Sequence, residues 1–174
     1  LVRGGETIMK KDFRVQYPLW QMAFIILFGF LAISLTGASS EMIHNDIEFS
    51  YSLEFPALES ILLFITLAMT FILIIIFIMK ITNHNRRHPQ QKLSFWQIKP
   101  IEYLEEDEGM TYITRRAAQK VYTFFVWALP FVAMIYLLFN LSRLWIVIGI
   151  LFLAFMQYFI FYIEVRKYLS KDED

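Results

Sequence analysis

His84 and His88 stand four residues apart, the spacing that sets two imidazoles on one helical face as metal ligands. No third ligand lies near them in sequence and Pro89 adjoins the pair, so no metal site is expected. His44 is isolated. Ser34, Ser60 and Ser142 lack a surrounding nucleophile motif, and no histidine lies within an apolar run to activate them. The chain has six glycines, two of which are Gly4 and Gly5 at its start, and no phosphate-cradling glycine-rich loop. Cysteine is absent, which removes disulfides, thiol redox chemistry, Cys-based metal sites and lipidation on Cys. The expectation is a non-enzyme without cofactor.

The remaining polar groups fall into two sets. In the first, the acid run Glu105-Glu106-Asp107-Glu108 precedes Gly109, after which Met110, Ile113, Ala117 and Val121 recur at helical spacing on one face. Acids at the start and Arg115, Arg116 and Lys120 further on suit a helix dipole and a headgroup boundary. The pattern predicts a cytoplasmic stalk running unbroken into the third apolar run. Glu105, Asp107, Glu108, Arg115, Arg116 and Lys120 are its candidate partner contacts. The second set lies inside the apolar runs: Gln21, Thr66, Thr70, Asn140 and Gln157 are candidates for hydrogen bonds across helices, worth roughly 0.6 kcal/mol each. Ion-coupled transport needs ionisable groups at membrane depth, and none of the runs contains one. The first-helix glutamate of the small multidrug resistance transporters has no counterpart. Pro130 predicts a kink that frees a carbonyl near Val126; packing is preferred there over a pocket beside Trp127.

Four charge-free runs position these groups: Val15 to Ser40, Ser60 to Met79, Val121 to Ser142 and Leu144 to Ile163. Each supplies the ~20 residues a helix needs to cross ~30 Å of hydrocarbon. Apolar residues make up 57% of the chain and aromatics 18%, more than 174 residues of soluble protein can hide. Of the sixteen Lys and Arg, only Arg143 falls in the connections after the first and third runs. The positive-inside rule then places both termini and the middle segment in the cytoplasm. The expected fold is all-α, an integral membrane four-helix bundle of two transmembrane hairpins. Its spans are 17–39, 58–81, 120–140 and 143–165, with an arm over 1–14, an outer loop over 40–57, a cytoplasmic segment over 82–119 and a tail over 166–174. Tyr17, Trp20, Trp145, Tyr162 and Tyr168 sit where interfacial aromatics belong. Phe95 and Trp96 add an interfacial anchor in the middle segment.

In the outer loop, Ile47, Phe49, Tyr51, Leu53 and Phe55 alternate with polar residues until Pro56. That period of two fits a short strand or an extended segment at the membrane surface. At the start, Arg3-Gly4-Gly5-Glu6 can be encoded by a bacterial ribosome-binding sequence, with Met9 where a start codon belongs. The expectation is a bacterial gene whose translation begins at Met9, leaving residues 1–8 as a misassigned leader. The first apolar run is too long for a cleaved signal peptide and is expected to stay as an anchor.

The acid run at 105–108, followed by Ile113, Arg115 and Ala117-Ala118, resembles a loop in small bacterial four-helix membrane proteins of unknown function. There, an Asp-Glu pair after helix two leads through an alanine-containing amphipathic turn into helix three. The match covers about fifteen residues and implies an architecture rather than an activity. Partners expected from the whole sequence are the lipid bilayer and either another integral membrane protein or further copies of the chain, with no nucleic acid. An accessory or regulatory role in a larger membrane complex is preferred. A self-assembling transporter or channel component is the alternative, and an immunity protein against a membrane-active peptide the third possibility, meeting a cationic attacker with Asp46, Glu48 and Glu54.

Overall fold

The greater part of each charge-free run folds as a single helix, because in hydrocarbon only a helix satisfies every backbone polar group within one segment. The computed structural model describes residues 13–36, 39–44, 49–54, 56–87 and 108–171. In chain order it comprises α1 (Phe13–Thr36), strands β1 (Ser39–His44) and β2 (Phe49–Glu54), α2 (Ala57–Arg87), α3 (Glu108–Leu138) and α4 (Arg143–Lys171). All four helices are long and apolar enough to cross a membrane, which makes the chain a multi-pass membrane protein by length and composition. At 1.5 Å per residue, the 24 residues of α1 reach about 36 Å. The 31 residues of α2 and of α3 reach about 46 Å, well beyond a ~30 Å core.

The outer loop contains the short strand that its period-two pattern allowed, paired with a second strand. β1 and β2 form an antiparallel ribbon in which Met42 pairs with Tyr51 and His44 with Phe49. This ribbon adds a β element to the expected all-α fold. Aromatic residues alternating with serine favour pleated backbone over helix, and the six residues of β2 are too few to span as one.

Helix packing departs from a closed bundle. α1 packs on α2 and on α4, and α4 packs on α3, so the helices lie in the order α2–α1–α4–α3. Among the described residues, α2 and α3 share no comparable contact. The two expected hairpins are present, but they join through α1 and α4 into an open row. Buried positions are correspondingly sparse. Ile81 is the largest, packed against Tyr17, Trp20 and Phe77 where α1 and α2 meet. Phe24 meets the same Phe77 ring edge-on at 5.6 Å. Small polar residues are buried as well: Ser34 on α1 and Thr66 on α2 are enclosed, with hydroxyls donating to the carbonyls of Phe30 and Leu62 one turn earlier. A hydroxyl satisfied by its own helix lets a small side chain sit in an apolar seam without stranding a polar atom.

The α3–α4 hairpin closes tightly. Tyr136 donates its hydroxyl to the Ile146 carbonyl at 3.0 Å, and its ring end occupies the space that a Cβ on Gly149 would need. α3 continues through Pro130 to Leu138, with Pro130 and Trp127 both exposed.

Candidate functional site at the charged end of the helices

Three contacts bring the start of α1, the end of α2, the start of α3 and the end of α4 to one end of the molecule. Tyr17 stacks obliquely on Phe77 at 6.1 Å, Tyr17 lies within electrostatic reach of Tyr158, and Lys120 meets Glu164. The parts of α2, α3 and α4 that outrun their charge-free segments therefore all project at this end. They carry Lys80, Arg86 and Arg87 on α2, Arg115, Arg116 and Lys120 on α3, and Arg166 and Lys167 on α4.

The centre of this region is an ion pair that the sequence reading did not anticipate. Lys120 Nζ donates to Glu164 Oε2 at 2.6 Å. The two side chains are unequally placed, 48% exposed for Lys120 and 7% for Glu164. Burying a carboxylate is costly unless a cation accompanies it, and the long lysine supplies one while its other side stays wet. The stripe on α3 that flanks the pair, Thr114 and Ala117, is buried, consistent with close approach to α4. One turn outward, the Arg116 guanidinium lies 5.4 Å from the centre of the Tyr168 ring and donates to the Tyr112 hydroxyl at 3.3 Å. Arg116 is thus committed within the chain, to a cation–π contact and a weak hydrogen bond.

These contacts revise the expected partner set. Lys120 is engaged by Glu164 and Arg116 by Tyr168, leaving Arg115 as the one of the three that makes neither an ion pair nor a cation–π contact among the described residues. Glu108 begins α3. Glu105 and Asp107 lie outside the described residues, as do residues 1–8, His88, the Phe95–Trp96 anchor and the acids Asp46 and Glu48.

The intramembrane polar candidates do not converge. Gln21 interacts with Tyr17 one turn away on α1. Thr70 donates to the Thr66 carbonyl at 2.8 Å, so both threonines are satisfied within α2. Asn140 is exposed in the α3–α4 connection, whereas Gln157 is half-buried about 21 Å further along α4. A single chain therefore encloses no polar path through these five residues. Among the described residues, His84 is buried on α2, and no group of three or more His, Asp or Glu is placed to hold a metal ion.

Glu164 could have been found in the sequence. Lys120 directly precedes the charge-free run of α3 and Glu164 directly follows that of α4. In an antiparallel hairpin turning near Ser142, two residues equidistant from the turn must meet. Comparison of the chain with family models, with curated proteins and with solved structures finds no match to any of them.

Proposed function

We propose that this chain is a non-catalytic protein of the bacterial cytoplasmic membrane, both termini inside, that packs as an accessory subunit beside a larger membrane protein. The open row carries this reading. α2 and α3 each pack on one neighbour and leave Phe64, Phe71, Phe131 and Trp127 exposed, the last by 77%. Lipid tails satisfy such surfaces, and so does another protein's helix, with large side chains filling its grooves. The clustering of Lys and Arg at the end where α1 begins and α4 finishes supports a cytoplasmic location for that end. The only buried carboxylate among the described residues is neutralised within the chain at the membrane boundary, which favours a scaffold over a proton or ion carrier.

The test is a photoreactive residue at Phe64 on the α2 flank or at Trp127 on the α3 flank, activated in native membranes and followed by mass spectrometry. A larger membrane protein cross-linked at one flank is the expected product. Charge reversal at Arg115 should weaken its recovery while Gln157→Leu leaves it unchanged. The same open row supports a second reading, in which several copies close around one another as a transport or channel component. Cross-links exclusively between copies, with vesicle flux altered by Gln157→Leu, would replace the accessory role with that one.

A further inference from the structure

Arg115 lies two residues from Ala117, about 160° around α3 from the surface that faces α4. On that far side, Arg115, Gln119 and Tyr122 follow one another at four- and three-residue spacing, all exposed. They border a depression of about 700 Å³ with Thr111, Ala118 and Thr123. The Thr123 hydroxyl donates to the Gln119 carbonyl at 2.9 Å and the Thr114 hydroxyl to the Thr111 carbonyl at 3.1 Å. Arg115, Gln119 and Tyr122 bring a guanidinium, a side-chain amide and a phenol to the exposed face. Further along the same stripe the surface becomes apolar and stays exposed through Val126, Leu129 and Ala133.

The dimensions match one leaflet. From Tyr122 to Ala133 the axis advances about 16 Å, half of a ~30 Å hydrocarbon core. The donors occupy about 10 Å above it, on the scale of the headgroup layer, whose thickness is roughly 5 to 7 Å on each side. We propose that this flank holds one anionic phospholipid, its phosphate on Arg115, Gln119 and Tyr122 and one acyl chain along Val126, Leu129 and Ala133. Glu164 neutralises Lys120 and Tyr168 meets Arg116, while Arg115 makes no ion pair among the described residues and stands exposed over an apolar track. A zwitterionic headgroup brings its own cation to the site, and an anionic one does not. The assignment to the cytoplasmic leaflet rests on the orientation proposed above; the site itself does not.

Native mass spectrometry of the purified chain, with phosphatidylglycerol or phosphatidylcholine added to the detergent, tests it. One phosphatidylglycerol should be retained with about tenfold preference over phosphatidylcholine. Arg115→Gln should abolish that preference, while Arg143→Gln, at the opposite end, should leave it intact. Equal retention of the two lipids, or an unchanged preference in Arg115→Gln, overturns the proposal. Displacement of the lipid by glycerol phosphate at equal concentration also overturns it, because the site would then be one for a soluble phosphate ester. Orientation is read separately, from labelling of Thr82→Cys against Ser142→Cys in intact cells on this cysteine-free chain. Labelling of Thr82→Cys from outside would refute the cytoplasmic leaflet while the selectivity measured in detergent still stood.

Discussion

Lys120 and Glu164 form an ion pair of unequal members, 2.6 Å apart, with the carboxylate enclosed and the ammonium half in water. Inequality of this kind makes the two halves of the pair behave differently on substitution. Lys120→Ala strands a buried carboxylate, whereas Glu164→Gln leaves a lysine that can turn to solvent. Lys120→Ala should therefore destabilise the α3–α4 hairpin by about 1–3 kcal/mol, reduced from the fully buried case by the exposure of the lysine. Glu164→Gln should cost under about 1 kcal/mol. Thermal unfolding in detergent, with the double variant to close the cycle, measures both. Equal costs would mean that the pair is no more than a surface contact.

At the other end of the same hairpin, the Tyr136 ring fills the site where Gly149 lacks a side chain. A methyl group there would overlap the phenol oxygen first and the ring carbon carrying it next, at 3.0 Å. Gly149→Ala should cost about 1–3 kcal/mol, the range for overpacking a fitted site. Tyr136→Phe in the same chain should recover part of that cost by removing the nearest atom. If Gly149→Ala were neutral alone, the hairpin would not close as described.

The seam between α1 and α2 yields a third expectation. Thr66 is 3% exposed and donates to the Leu62 carbonyl at 2.7 Å within its own helix. Its value is its size rather than a bond to another helix. Thr66→Val, which keeps the shape, should change stability by less than about 1 kcal/mol, and Thr66→Phe should cost more than about 2 kcal/mol by forcing α1 and α2 apart. A large loss with valine would show that the hydroxyl serves another helix after all.

What the sequence discloses and what it hides follow from the solvent. Charge marks depth, so the end of α1, the start of α2, the end of α3 and the start of α4 were legible to within three residues. By contrast, α2 and α4 each run six residues past their expected spans, and Pro56 separated ribbon from helix. Lys120 and Glu164 bracket their apolar runs symmetrically, yet the acid escaped notice because it stands one residue outside its run. Packing order was not legible. In water an amphipathic stripe tells which face of a helix is inside, but the run Ile61 to Ile78 is Leu, Ile, Phe and Met on nearly every side. Its seam is marked by small and polar residues, Thr66 and Thr70, and these carry no information about which neighbour they meet. The ring that Arg116 meets, Tyr168, lies fifty-two residues away in sequence, where no local pattern pairs the two.

The open row itself is testable with cysteine pairs, because the chain has no cysteine to confuse the result. Tyr17→Cys with Tyr158→Cys lies on the packed pair α1 and α4, with the two positions within electrostatic reach of each other. It should be joined within one chain by a short bifunctional thiol cross-linker. Ile74→Cys with Phe131→Cys lies on α2 and α3, which share no substantial contact, and should not. Each of the latter cysteines alone is exposed on its flank, so any bond it makes should join two chains or a chain and its partner. An efficient intramolecular bond between Ile74→Cys and Phe131→Cys would close the row into a square. It would cover the very flanks on which an accessory role depends, and leave a self-contained bundle with no face to offer another helix.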